Sequence, residues 1–178
     1  MTLDPSDSDL VAAHRHAGDP AAFAALVRRH RESLLRLVLG VLGPDLRADA
    51  EDVVQLALLR SHDRLAGFRG DSRFKTWIHS IAYRLAIDHR RKRVRRRRLL
   101  EQRGREAEDP TSRHDPGQLA PEHAWSIRRA LDELPDPYQT ALRLHYWLDL
   151  SVADIAETMG VPVGTVKCYL HRGRQRMY

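Results

Sequence analysis

Residues 151–177 read SVADIAETMGVPVGTVKCYLHRGRQRM, and this stretch decides the fold of the C-terminal part of the chain. Ser is a favoured N-cap residue and Gly is favoured just past the C-terminal end of a helix. Ser151 and Gly160 therefore predict a short helix between them. A second helix is predicted from about Val163. Two short helices joined by a tight, glycine-containing turn predict a helix-turn-helix.

The second helix of this pair is basic. From Pro162 to Tyr178 it carries four Lys/Arg and no acid. If Val166 and Leu170 face inward, four residues face outward, namely Lys167, Cys168, His171 and Arg172. A recognition helix that enters the negatively charged major groove needs that bias, although a solvated helix face would look the same.

Two helices are predicted in the first half of the chain. The first helix is predicted in residues 18–44, whose sequence is GDPAAFAALVRRHRESLLRLVLGVLGP. Asp19 is its predicted N-cap, Pro20 takes the first helical position, and Gly43-Pro44 ends the helix. Residues 45–68, DLRADAEDVVQLALLRSHDRLAGF, predict a helix with three acids in its first turn and one apolar side. The acids are Asp49, Glu51 and Asp52, and the apolar side is Val53, Leu56, Ala57, Leu59 and Leu65.

The clearest helical pattern is residues 72–98, SRFKTWIHSIAYRLAIDHRRKRVRRRR. Ser72 can cap this helix, and its apolar positions are Phe74, Trp77, Ile78, Ile81, Ala82 and Leu85. Nothing breaks the helix before Gly104, so the arginine run is predicted to continue it as a rod. Residues 73–105 carry a net charge of +11, while the rest of the chain sums to −5. This asymmetry indicates a localised cationic surface that binds a polyanion.

Residues 104–121, GREAEDPTSRHDPGQLAP, contain three Pro and two Gly and divide the chain. We therefore predict an all-α fold of two small helical domains, 1–103 and 122–178, joined by a flexible linker. The second would be a four-helix domain that contains the helix-turn-helix. Its other helices are PEHAWSIRRALDELP, which ends at Pro135, and a helix that Asp136 caps.

Composition excludes several classes of protein. No run of eighteen apolar residues exists, so no membrane span is expected, and the acidic N-terminus lacks a secretory pattern. The single cysteine, Cys168, rules out an internal disulfide and fits a reducing cytoplasm. With no clustered metal ligands, P-loop or nucleophile constellation, we expect no metal, no cofactor and no enzymatic activity.

Four stretches in order carry a resemblance to a known family: GDPAAFAALVRRH, DAEDVVQ, FRGDSRFKTWIHSIA…AID and LSVADIAETMGVPVGTVKCYLHRGR. The chain resembles the extracytoplasmic-function (ECF) group of sigma-70-family sigma factors, the promoter-specificity subunits of bacterial RNA polymerase. The resemblance implies a linker that threads toward the polymerase active-site cleft. It also implies three partners: core polymerase through its β and β′ subunits, promoter DNA and an anti-sigma factor.

The resemblance also implies roles for particular residues. Four residues would contact the β′ clamp: Asp49, Glu51, Asp52 and Gln55. Capture and opening of the −10 element would use Phe68, Arg69, Lys75, Trp77, His79, Tyr83, Arg84, Arg90, Arg91 and Arg95. Reading of the −35 element would use Val163, Thr165, Lys167, Cys168, His171 and Arg172.

The chain departs from the family pattern at two positions, and some interpretations stay open. Leu56 stands where members commonly have an acid, and it can pack inward. Arg84 replaces a common Asn that is associated with a flipped −10 base. Trp77 fits core packing as well as base stacking, and the loop residue Phe68 is the better candidate for a base contact. A dimeric helix-turn-helix regulator or a nonspecific nucleic-acid-binding protein would be the alternative function.

Overall fold

The computed structural model describes residues 4–102, 130–131 and 133–177. Within these ranges the chain is helical and has no strand, so the predicted all-α class is confirmed. The helices are α1 (Asp7–Ala17), α2 (Pro20–Leu42), α3 (Arg47–Arg64), a 3-10 turn (Leu65–Gly67), α4 (Phe74–Gln102), α5 (Asp136–Tyr146), α6 (Val152–Met159) and α7 (Val163–Arg176). The predicted linker lies outside the described residues, as does most of the helix predicted before Pro135.

Helix α1 was not predicted. Ser6 and Asp9 form a capping box at its start, and Gly18 ends it in the left-handed conformation with φ 64°. Asp19 then caps α2 by accepting a 2.8 Å hydrogen bond from the backbone N–H of Ala21, as predicted. Helix α1 is held on α2 through Asp7, whose carboxylate contacts the side chains of Arg29 at 2.7 Å and His30 at 2.8 Å.

Helices α2, α3 and α4 pack together and form the first unit, residues 4–102. Its largest fully buried side chains include Leu26, Leu34, Leu65 and Ile78. The prediction for α3 needs two corrections. The helix begins at Arg47, so only Asp49 lies in its first turn. Leu56 and Leu59 do not pack inward, because they are 40% and 57% exposed.

The true inner face of α3 consists of small residues: Ala50, Val53, Val54, Ala57 and Ser61. These positions lie three and four residues apart, which is the spacing of one helical face. Small side chains let α3 approach its neighbours closely. Leu56 and Leu59 are therefore left on the outside, whereas Leu65, just past the end of α3, is buried as predicted.

Helix α4 is one continuous helix of 29 residues, about 44 Å long at 1.5 Å per residue. Its N-terminal half is buried at the predicted apolar positions Phe74, Ile78, Ile81, Ala82 and Leu85, whereas Trp77 is half-buried. Residues 91–99 are all exposed. The arginine run is thus the outward end of a rod that is rooted in the core.

Helices α5, α6 and α7 form the second unit, residues 130–177, and α6 and α7 are the predicted helix-turn-helix. Ser151 and Asp154 make a capping box at the start of α6, and Gly160 ends that helix with φ 67°. Val166 and Leu170 of α7 are buried, as predicted. Asp136 does not cap α5; it is the first helical residue.

The two units contact each other along an inter-unit seam. Helix α6 packs on α4, and α5 packs on α2. The polar contacts that cross the seam include Thr76 to Asp154 at 2.7 Å, Lys75 to the carbonyl of Leu148 at 2.7 Å, Arg90 to Asp136 at 2.7 Å, and Arg143 to the carbonyl of Gly40. The units therefore form one compact body in this structure.

Candidate nucleic-acid and polymerase interfaces

The outward face of α7 is basic and accessible. Val163, Lys167, His171 and Arg172 are exposed, and Thr165 and Cys168 are half-buried on the same helix. A hydrogen bond with Tyr138 of α5 is the main cause that raises the pKa of Arg172, an exposed residue of this face. A cationic face on the second helix of a helix-turn-helix can bind phosphates and base edges.

An aromatic cluster lies where the 65–73 loop meets α4. The ring of Phe68 lies 4.9 Å from that of Trp77 and 6.1 Å from that of Phe74. Trp77 packs against the apolar core, as does Phe68, and both are half-buried. Each ring therefore combines core packing with an accessible edge that a nucleobase could contact.

A groove of 620 Å³ opens beside this cluster, between α1, the 68–73 loop and the start of α4. Three of the predicted −10 residues line it: Phe68, Arg69 and Lys75. Asp7 also lines the groove, but its carboxylate is already engaged by Arg29 and His30. The groove is therefore cationic and suits an anionic ligand.

Three arginines of this groove were missed from the sequence, namely Arg15, Arg29 and Arg73. Arg15 and Arg73 are exposed and line it from α1 and from the end of the loop. Arg73 stood within the quoted loop motif. Arg15 could have been found only by recognising α1, for which the Ser6-x-x-Asp9 box and Gly18 were the available signals.

The predicted −10 residues on α4, apart from Trp77 described above, fall into four groups. Arg84, Arg91 and Arg95 are exposed on the outer side of the helix. Lys75 and Arg90 take part in the inter-unit seam. Tyr83 is half-buried, and burial is the main cause that raises its pKa, with Asp136 and Tyr169 of the second unit adding to the effect.

His79 forms the fourth group alone, because it is 0% exposed. Burial lowers the pKa of its imidazole to about 4. Its Nδ1 lies 2.6 Å from the carbonyl oxygen of Lys75, within the same helix. The structure thus places this residue in the core, where a DNA strand cannot reach it in this arrangement of the helices.

The predicted polymerase-binding residues lie on α3. Asp52 and Gln55 are exposed, Glu51 pairs with Arg47 at 3.1 Å, and Asp49 pairs with Arg93 of α4 at 3.4 Å. Leu56 and Leu59 share the outer face with Asp52 and Gln55, since the four positions lie three and four residues apart. The outer face of α3 thus joins acidic, amide and apolar groups on one stripe.

In residues 4–102, 130–131 and 133–177, no three His, Cys, Asp or Glu side chains are grouped closely enough to hold a metal ion. None of the helices described above combines the length and hydropathy that a bilayer span requires.

Comparison with known proteins identifies the family. Residues 26–96 match the family model "Sigma-70 region 2", and residues 124–177 match "Sigma-70, region 4". The first match covers the helices from the body of α2 to the arginine run. The second covers the helix-turn-helix. The chain belongs to the sigma-70 family and is a sigma factor for RNA polymerase transcription initiation.

Curated relatives narrow the group. The chain is 33% identical to the ECF RNA polymerase sigma factor SigW of Bacillus subtilis. The alignment spans 168 residues and covers 90% of this chain and 89% of the relative. It is 31% identical over 166 residues to the ECF RNA polymerase sigma-E factor of Escherichia coli, covering 89% and 85%. The family member is thus of the extracytoplasmic-function group.

Two solved structures share the fold. CnrH, solved in complex with the cytosolic domain of CnrY, aligns with a TM-score of 0.68 at 22% identity and covers 97% of this chain and 95% of that chain. The sigma factor RpoE of Bartonella quintana, solved with the anti-sigma factor NepR, aligns with a TM-score of 0.67 at 23% identity, covering 87% and 93%.

Proposed function

We propose that this sigma factor directs promoter-specific initiation by reading a −35 element with α7 and by capturing the −10 element with the 68–73 loop and α4. The observation that carries the proposal is the pair of cationic surfaces on one chain, the first on the 68–73 loop and α4 and the second on α7. A single unit would bind DNA at one place. Two units joined by a linker can bind two elements at a fixed spacing.

In the proposed −35 complex, α7 lies in the major groove with its N-terminal residues toward the bases. Lys167 and Arg172 supply charge for phosphates and base edges, and the exposed Val163 supplies an apolar contact. Cys168 is half-buried, which suits a van der Waals contact.

In the proposed −10 complex, the groove beside Phe68 takes up an unstacked base. Arg15, Arg69 and Arg73 would neutralise the flanking phosphates. Unpairing DNA costs free energy, and binding of the extruded strand offsets it, with base stacking worth about 1–3 kcal/mol per aromatic contact. Promoter melting would then follow from differential binding and would need no chemical step.

Core polymerase binding is assigned to the outer face of α3, where Asp52 and Gln55 are free of ion pairs in the described residues. The expected partners are the β and β′ subunits, in the cytoplasm. An anti-sigma factor is also proposed as a partner, since RpoE of Bartonella quintana was solved with one.

The proposal is tested by run-off transcription with core RNA polymerase and a library of promoter fragments. We expect initiation that depends on this protein, and we expect a Lys167→Ala, Arg172→Ala variant to lose it on promoters selected by the wild type. A protein that supports no initiation on any fragment, yet binds duplex DNA by itself, would instead be the helix-turn-helix regulator considered above.

A further inference from the structure

Two exposed aromatic side chains lie next to each other at the C-terminal end of α5. Tyr146 is 55% exposed and Trp147 is 42% exposed, whereas every other Phe, Tyr or Trp of the described residues is buried or half-buried. A single exposed apolar residue is ordinary, but a contiguous apolar patch beside a cavity marks a binding surface. None of the surfaces proposed above for promoter DNA or core polymerase includes these two residues.

A second groove, with a volume of 640 Å³, opens beside this aromatic pair. Leu39 of α2 and Pro44 of the following loop line it, together with Tyr146 and Trp147 from the end of α5. Pockets that bind small molecules have volumes of about 300–1,000 Å³. The groove therefore has room for a planar ring system and the groups attached to it.

The same groove is cationic. Arg36, Arg47 and Arg143 line it, and no Asp or Glu of the described residues does so. Arg47 pairs with Glu51 at 3.1 Å and Arg36 lies 4.0 Å from Glu32, each within a single helix and at the surface. Exposed ion pairs of this kind are weak, so a phosphate group can replace the carboxylate as the partner of either arginine.

Arg143 prepares the aromatic surface for a ligand. Its guanidinium donates to the carbonyl of Gly40 and, at 2.9 Å, to the side-chain oxygen of Gln139. It also lies 5.4 Å from the centroid of the Trp147 ring, where a cation–π interaction restrains the indole. Because Trp147 still stays 42% exposed, the indole offers a pre-oriented surface on which a second planar group can stack.

We propose that this groove binds a purine nucleoside polyphosphate, with the purine stacked on Trp147 and the phosphates held by Arg36 and Arg47. A two-ring purine covers more of an indole than a pyrimidine does, and guanidinium groups bind phosphate oxygens through paired N–H donors. A free nucleotide and the 5′-triphosphate end of an RNA carry this same chemistry. The site goes beyond the proposed promoter function and does not depend on it.

The test uses the full-length protein and ATP that carries a fluorescent N-methylanthraniloyl group on its ribose. Fluorescence anisotropy reports binding, and unlabelled ATP, adenosine and inorganic tripolyphosphate are compared as competitors. We expect ATP to compete on the order of tenfold better than either of the other two, because only ATP combines the ring with the charge. A 5′-triphosphorylated diadenylate that competes better than ATP would assign the site to an RNA end, and the reverse order would assign it to a free nucleotide.

Four variants locate the bound nucleotide. Trp147→Ala should weaken binding about tenfold through loss of the stacking contact, whereas Trp147→Phe, which keeps a ring, should stay within about threefold of wild type. Arg36→Ala with Arg47→Ala should also weaken binding about tenfold, because charge-assisted hydrogen bonds to phosphate are lost. The matched control, Arg28→Ala with Arg31→Ala, removes two exposed arginines of α2 that do not line the groove and should bind like wild type.

Three results would overturn the proposal. If tripolyphosphate competes as well as ATP, the protein recognises charge alone. If the control variant loses as much affinity as the groove variant, the nucleotide binds to the cationic surface in general. If Trp147→Ala binds as tightly as wild type, with the same helix content by circular dichroism, no base stacks on this ring.

Discussion

Nδ1 of His79 lies 2.6 Å from the carbonyl oxygen of Lys75, in a position with no solvent exposure. A carbonyl only accepts hydrogen bonds, so Nδ1 carries the proton in the neutral ring. Nε2 is also buried, and it has no hydrogen-bond partner among the described residues. A second proton on this ring would therefore be a buried charge without compensation.

This geometry predicts a pH-dependent stability. The pKa of His79 is lowered by burial from 6.5 to about 4, so between these values the unfolded chain binds more protons than the folded one. The contribution of His79 to stability is then complete above pH 6.5 and falls as the pH drops toward 4. From pH 7.5 to 4.5 we expect a loss on the order of 2 kcal/mol from this residue.

The measurement is urea unfolding of wild type and His79→Gln at both pH values. Glutamine can donate to the carbonyl of Lys75 but does not titrate, so its pH-dependent loss should be smaller by that amount. Burial also lowers the pKa of His30, and this part of the loss should persist in both proteins. Equal losses in the two proteins would contradict the assignment to His79.

Two glycines of α7, Gly164 and Gly173, differ in how closely the rest of the protein packs against them, so substitutions at the two positions test the packing of this helix. A Cβ added at Gly173 would lie 2.9 Å from Cδ1 of the buried Leu142, whereas one at Gly164 would meet no atom within 4 Å. We expect Gly173→Ala to destabilise the protein by about 1 kcal/mol, because overpacking outweighs the gain in helix propensity. Gly164→Ala should be neutral or slightly stabilising. Thermal unfolding distinguishes them, and equal shifts would contradict the close packing of α5 on α7.

The arginine run is predicted to bind phosphates without reading sequence. Replacement of Arg95, Arg96, Arg97 and Arg98 by Ala should weaken binding of duplex DNA of unrelated sequences by a similar factor. It should also reduce the slope of log K against log salt by about one for each phosphate that is no longer neutralised. The control replaces Arg28 and Arg31, which are exposed on α2. An unchanged slope in the fourfold variant would exclude the run from the DNA interface.

The loop groove is predicted to act in strand opening. Phe68→Ala and Arg73→Ala should reduce permanganate reactivity of melted thymines about tenfold in complexes with core polymerase, because they remove a stacking surface and a phosphate contact. Duplex binding at the −35 element should change little. Arg28→Ala, on α2 and away from the groove, is the control. Equal loss of duplex binding and melting would instead indicate a general fault in folding.

Local signals in the sequence predicted most helix boundaries. Asp19, Ser151 and Gly160 occupy the predicted cap positions because each acts through its own backbone and nearest turn. Helix α1 was missed because it is short and only Leu10 and Val11 of its residues are buried. The sequence pattern of α3 predicted that Leu56 and Leu59 belong to its inner face. In the structure, Ala50, Ala57 and their small neighbours form that face, because α3 packs closely against the adjacent helices.

The sequence predicted which faces of the helices are exposed and charged, but not which residues of distant helices contact one another. The outward face of α7 follows from Val166 and Leu170 facing inward, which periodicity indicates. The seam could not be predicted, since Thr76 and Asp154 are 78 residues apart and each looks ordinary in its own helix. The same is true of Arg15, which reaches the groove only through the packing of α1.

The unbroken length of α4 has a mechanical consequence. Its arginine run and Thr76 belong to one rigid rod, and Arg90 lies between them at the contact with Asp136. One helix therefore carries both the cationic run that is proposed to hold DNA and the side chains that contact the second unit. The two ends of α4 share one axis, so the direction in which the second unit lies from the DNA is set by a single helix.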